Sequence, residues 1–109
     1  MGRRQSKTAG AVTRYIVKFA PEAAKDLEEA ARWYAEKSSA ASTGFRSAVI
    51  GAVELIASSP LSWRQVTESG IRRIVVDKYS YSIYFEVLGD MVYVLSIAHH
   101  RRAPKYSLI

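Results

Sequence analysis

The chain has 109 residues, 49% hydrophobic and 24% charged, with no cysteine and a formal net charge of +6. That is room for one domain and one core. It excludes disulfide scaffolds, thiol nucleophiles, iron–sulfur clusters and cysteine zinc sites, and with only His99 and His100 a conventional histidine metal site lacks ligands, so neither metal nor cofactor is expected. No run approaches ~18 consecutive apolar residues, the length of a membrane span, and the N-terminus lacks the apolar segment of a secretory signal, so a cytoplasmic protein is expected.

Residues 1–13 are small, polar and basic with no hydrophobic period, which reads as a disordered leader before a single domain over residues 14–109. Tyr15-Ile-Val-Lys-Phe19 is a short β-branched and aromatic run, a strand. Ala20-Pro21-Glu22 then opens a helix, with Pro21 in its first turn and Glu22 and Asp26 facing the positive end of its dipole. Leu27, Ala30, Ala31 and Tyr34 recur at helical spacing, and the helix is expected to end near Lys37. Ser38–Thr43 reads as a short polar link of an αα-hairpin. A second helix follows from about Ser42 to Ala57, with Phe45, Val49, Ala52, Val53 and Ile56 as its apolar stripe and Ser58-Ser59-Pro60 as its stop. Gly51 weakens that helix relative to alanine, so close packing is expected there. Trp33, Tyr34 and Phe45 are expected in the core.

Residues 60–70 read as a loop carrying Trp63 and Arg64. From Ile71 the period becomes two: strands are expected at Ile71–Val76, Tyr81–Val87 and Met91–Ala98. Gly89-Asp90 is a type II′ hairpin signal. A two-residue loop there pairs Val87 with Val92, Phe85 with Val94 and Ile83 with Ser96; on the other face it pairs Tyr84 with Leu95, Glu86 with Tyr93 and Leu88 with Met91. Both faces are largely apolar, and one helical layer covers only one of them, leaving the other for a partner. The expected plan is β-α-α-β-β-β: an α+β fold with a helical hairpin packed on a mainly antiparallel sheet.

Charge is unevenly spread. Residues 1–14 carry four basic side chains and no acid, residues 15–70 six basic and seven acidic, and residues 71–109 six basic and three acidic. Positive ends on a balanced middle point to a polyanion or an acidic protein partner.

Three blocks resemble the RelE/ParE superfamily of type II toxin–antitoxin toxins. They are Tyr15-Ile-Val-Lys-Phe-Ala-Pro-Glu-Ala-Ala-Lys-Asp-Leu27; Gly70-Ile-Arg-Arg-Ile-Val-Val76 with Tyr81-Ser-Ile-Tyr-Phe-Glu-Val87; and Val94-Leu-Ser-Ile-Ala-His-His-Arg-Arg-Ala-Pro-Lys-Tyr106. The resemblance implies a toxin neutralised by a cognate antitoxin, in a hetero-oligomeric complex. An acidic, amphipathic antitoxin segment suits the second sheet face and the cationic C-terminal stretch.

The superfamily divides into RelE-like, metal-independent endonucleases that cut messenger RNA on the ribosome and ParE-like toxins that poison DNA gyrase. Against the nuclease pattern, Arg73 falls where a basic residue is expected. Val75 stands where a second one would be, and Ser82 where an arginine would stabilise the phosphorane. His100 or Arg101 replaces the next basic group, and Tyr106 matches the terminal tyrosine. RNA cleavage needs a base, a cation at the transition-state phosphate and a leaving-group acid, so the missing central arginine favours the ParE-like branch. In that branch Ser107 replaces the usual tryptophan after Tyr106.

The reading is thus a ParE-like toxin that stabilises the cleaved gyrase–DNA state by binding rather than by turnover. The alternatives are a RelE-like endonuclease using Arg73, His100, Arg101 and Tyr106, and a decayed toxin acting only as antitoxin-binding co-repressor. Candidate target-binding residues are Arg72, Arg73, His99, His100, Arg101, Arg102, Lys105 and Tyr106. Among these, one of Arg72 and Arg73 lines the open sheet face, with an ion pair to Asp77 or Glu86 as the structural alternative. For the histidines the structural alternative is a hydrogen bond at the strand end for His99 and plain exposure for His100. Lys78 and Tyr79 are read as turn residues, and Tyr84 and Tyr93 as fillers of the sheet face rather than a base-stacking platform.

Overall fold

The computed structural model describes residues 14–76, 78–101 and 108. Its elements are β1 (Ile16–Phe19), α1 (Pro21–Ala35), α2 (Ser39–Ser58), a 3-10 turn (Pro60–Ser62), β2 (Arg72–Val76), β3 (Tyr81–Leu88) and β4 (Met91–His99). Strand, helical hairpin and three further strands follow one another as the residue pattern implies, an α+β fold.

Helix α1 begins at Pro21, whose missing N–H would have no intrahelical partner there, with Glu22 in the first turn. The buried positions of α1 are Ala23, Ala30 and Ala31, small side chains that let its backbone lie close to its neighbours. The link to α2 is shorter than the polar run Ser38–Thr43. Ser38 Oγ accepts the Ala41 N–H at 3.0 Å and caps the helix, so Ser39–Thr43 are free to be helical. The hairpin is tied by Ser42 Oγ donating to Ala31 O at 3.0 Å and by a two-pronged Arg46–Glu28 pair at 2.8 and 3.2 Å.

By length and mean hydropathy (20 residues, 1.2) α2 is apolar enough to cross a bilayer. A core helix has the same composition, and Phe45, Val49, Ala52 and Ile56 are buried as expected. Gly51 departs from expectation: a Cβ there would meet nothing within 4 Å. The close approach is at Gly44 instead, where a Cβ would lie 2.8 Å from Tyr79 Oη. Trp33 departs too. It is 51% exposed and shares its ring face with Lys37 Nζ, 4.7 Å from the ring centroid; Tyr34 and Phe45 occupy the interior, stacked at 5.0 Å.

The sheet order is β1-β4-β3-β2. Strand β1 runs parallel to β4, Ile16 opposite Met91 through Phe19 opposite Val94, and the other pairs are antiparallel. Because β1 stops at Phe19, no strand among the described residues lies beyond the far half of β4. Helix α1 closes that edge: Ala20 N–H donates to Val94 O at 2.8 Å, and Asp26 Oδ2 accepts the Ile97 N–H at 3.0 Å. An edge amide left bare would be a pairing hazard, and a carboxylate cap removes it.

The β3–β4 hairpin turns at Gly89, φ +63°, as the type II′ signal requires. Val87–Val92, Phe85–Val94, Glu86–Tyr93 and Leu88–Met91 pair as expected, but Ile83 lies opposite Ile97 and Tyr84 opposite Ser96, with a bulge at Tyr84/Phe85. Leu95 is the extra residue. The bulge exchanges the faces of all that follows it. Ile97, rather than Ser96, joins Phe45, Ile56, Ile83, Phe85 and Val92 in the interior.

Candidate target-binding groove

On β2, Ile74 and Val76 are buried against the helices, so alternation sends Arg73 and Val75 to the opposite face. Pairing places Arg73 opposite Tyr84 and Val75 opposite Ser82, and Ser82 opposite Ala98. Arg73, Val75, Tyr84, Ala98, His99, His100 and Leu108 thereby line one open groove of about 340 Å³.

That face is not left wholly to a partner. The loop before β2 folds over half of it: Val66 and Ile71 join Tyr84 in a second buried cluster, with Leu95 and Ala98 against it. The loop is stiffened from within. Val66 N–H donates to Ile71 O at 2.7 Å, Ile71 N–H to the buried Thr67 Oγ1 at 2.9 Å, and Gln65 Nε2 to Thr67 O at 2.9 Å. Gly70 takes φ +105°, a value that suits glycine. The uncovered half is the groove, where Val75 is 52% exposed. Trp63, in the same loop, packs against the main core; its indole Nε1–H is buried with no hydrogen-bond partner among the described residues.

The two arginines separate. Arg72 is not a groove residue; its Nη1 donates to Trp63 O at 2.7 Å, tying the loop to the strand in place of an ion pair with Glu86. Arg73 stands in the groove, its backbone N–H donating to Arg64 O at 3.1 Å. The Arg46–Glu28 ion pair lies on the helical hairpin, remote in sequence from both.

The histidines also divide. His99 meets Tyr81 edge-on at 5.0 Å, and its Nδ1 accepts the Arg101 N–H at 3.1 Å, the expected strand-end role. His100 is more than an exposed residue: its N–H donates to Ser80 O at 2.8 Å and its Nε2 shares a 3.0 Å hydrogen bond with Ser82 Oγ. Arg101 is exposed just beyond. Arg102, Lys105 and Tyr106, together with Asp77, lie outside the described residues.

Several positions acquire their meaning only here. Ser82 is 2% exposed and supports His100, so it is no open substitute for a phosphate-binding arginine. Tyr84, at 6%, fills the face and offers no stacking platform. Val75 and Leu108 supply the apolar walls. The signal for Ser82 and Val75 was present in the period-two spacing that puts them on Arg73's face; the Ser82–His100 bond spans eighteen positions and leaves no local trace. No group of three or more His, Asp or Glu side chains capable of holding a metal occurs among the described residues. The groove is a cationic, partly apolar surface suited to an anionic or amphipathic partner.

Comparison with known proteins agrees with this architecture. No curated protein matches the sequence. Among solved structures, the fold is similar to that of the chromosomal ParDE toxin–antitoxin system from P. aeruginosa, with TM-score 0.69 and 19% identity over 79% of this chain and 96% of that one. The family description "ParE toxin of type II toxin-antitoxin system, parDE" matches residues 17–104, and the chain belongs to that family of toxins.

Proposed function

We propose that this ParE-family toxin inhibits DNA gyrase by binding and stabilising the cleaved gyrase–DNA state, and that a cognate antitoxin silences it by covering the groove. The observation that carries this reading is the groove's composition. It joins Arg73 and His100 to the apolar Val75 and Leu108, while the position where an RNA-cleaving relative needs an arginine is the buried Ser82. A surface of this kind suits binding, and position 82 supplies no phosphorane-stabilising cation of the sort turnover demands. The acting unit is residues 14–109, and it works in the cytoplasm, where gyrase is found. An acidic, amphipathic antitoxin segment would match the cationic rim and apolar walls together.

The test is a supercoiling assay with antitoxin-free protein, scoring lost supercoiling and linearised plasmid. Gyrase-dependent linear DNA that disappears on adding antitoxin supports the reading. Normal supercoiling at excess toxin that still binds antitoxin rejects it. A second reading, RelE-like cleavage of messenger RNA on the ribosome, draws on Arg73 and His100 lining one groove; it requires cleavage products from a translating ribosome that Arg73→Ala abolishes. A chain inert in both assays would be a decayed toxin retaining only its antitoxin-binding, co-repressor role.

A further inference from the structure

The turn between β2 and β3 has an unusual backbone. Lys78 has φ +75° and Ser80 φ +55°, both left-handed, a region that residues bearing a Cβ adopt reluctantly. Between them Tyr79 points inward, its ring 5.5 Å from both Tyr34 and Phe45, and Tyr34 Oη donates to Tyr79 O at 3.4 Å. The tip of the ring packs against the bare Gly44 backbone: a Cβ on residue 44 would sit 2.8 Å from Tyr79 Oη, so the ring would have to shift.

That inward plug has an outward consequence. With Tyr79 anchored, the Ser80 carbonyl faces the end of β4 and accepts the His100 N–H at 2.8 Å. This bond lies one step past Tyr81–His99, the last pair of the β3–β4 ladder. The His100 imidazole then meets Ser82 Oγ at 3.0 Å on the groove side. A turn serving packing alone would be satisfied by glycine at 78 and 80, the residue that takes left-handed backbone without a steric penalty. Disfavoured backbone held in place by its surroundings concentrates where a structure positions functional groups.

We infer that the Gly44–Tyr79 contact and the left-handed turn it anchors position His100 in the groove, making Gly44, Tyr79 and Ser80 positioning residues for target engagement. The inference rests on the reading of the groove as the target-binding surface. It does not depend on which target is bound.

The experiment compares Gly44→Ala, the double variant Gly44→Ala/Tyr79→Phe, and Ser80→Val, all as full chains. Two quantities are read: the His100 imidazole signals in a long-range proton–nitrogen NMR spectrum, and the inducer level needed for growth arrest without antitoxin. Gly44→Ala should displace the His100 signals and weaken arrest about tenfold, the equivalent of one lost hydrogen bond. Removing the Tyr79 hydroxyl in the double variant should restore both. Wild-type His100 signals and arrest in a folded Gly44→Ala protein overturn the inference. If that variant does not fold, Ser80→Val decides: a β-branched side chain disfavours the left-handed backbone at residue 80 and leaves the Gly44–Tyr79 contact untouched. Displaced or broadened His100 signals with weakened arrest support the inference, and unchanged behaviour overturns it. If the wild-type chain arrests nothing, the His100 spectrum alone decides. Displaced His100 and weakened arrest, combined with normal gyrase supercoiling, would reject gyrase as target and leave the positioning role standing.

Discussion

Tyr34 shows how one side chain joins the packing to a measurable property. Burial pushes its phenol above the ordinary 10.0, with Tyr81 and Tyr79 adding to the shift. A group whose folded pKa exceeds its unfolded one contributes stability that is complete below the unfolded value and is lost as pH rises through the folded value. The melting temperature should therefore fall more steeply above pH 10 for the wild type than for Tyr34→Phe, which has no proton to lose. Parallel curves for the two proteins would contradict this. The Glu28 carboxyl moves the other way, held below its ordinary range first by the Arg46 hydrogen bond and then by the Arg46 charge. That contribution is present at neutral pH and lost in acid, and since both partners are exposed, solvent and salt keep it small. Some residue roles were readable in advance, such as Phe45 in the core, because periodicity decides the face; that Arg72 and Arg73 take opposite faces was equally readable, but which of them lines the open face was not. The Asp26 cap on Ile97 was not: it joins positions 71 apart in the chain, and nothing local distinguishes that carboxylate from its neighbours.

At the level of elements, helix and strand identities follow the residue periods closely, and the departures have physical causes. Helix α2 begins at Ser39 rather than near Ser42 because the Ser38 hydroxyl satisfies an orphan N–H. Ser38→Ala should lower unfolding free energy by about 1 kcal/mol in denaturant titration. The two glycines of α2 should behave oppositely. At Gly51 a Cβ meets open space, so Gly51→Ala should stabilise by roughly 0.5–1 kcal/mol through helix propensity, whereas Gly44→Ala collides with Tyr79. Equal effects at the two positions would mean that the Gly44 contact is not tight. The β4 bulge is the clearest case of a signal that was present yet outweighed: strict alternation puts Ser96 in the core and Ile97 outside, and that mismatch is the mark of an inserted residue. The hairpin register at Gly89-Asp90 was legible because turn chemistry pins it locally, while the bulge depends on what lies beneath the strand.

Across the whole molecule, the helical hairpin covers one sheet face, and the loop before β2 covers part of the other, leaving the groove. If the groove acts as proposed, Arg73→Glu should abolish inhibition of gyrase and weaken antitoxin binding without shifting the melting temperature, because the side chain lines open space. A melting point that drops with the activity would point to a packing role instead. Deleting residues 2–13 should leave inhibition intact in the supercoiling assay, since the groove is built from later strands. The order of elements, their type, the hairpin turn and the amphipathic stripes are consequences of local chemistry: each depends on residues a few positions apart, so the chain alone specifies them. The ParE-like resemblance in three short blocks rests on the same local patterns. The parallel seating of β1 on β4, the shift that brings Ile97 inside, the loop that narrows the back face and the grip of Ser80 and Ser82 on His100 depend on residues distant in the chain. They arise only when burial of the core brings those residues together, because hydrophobic association has no direction of its own and packing selects among the arrangements it allows.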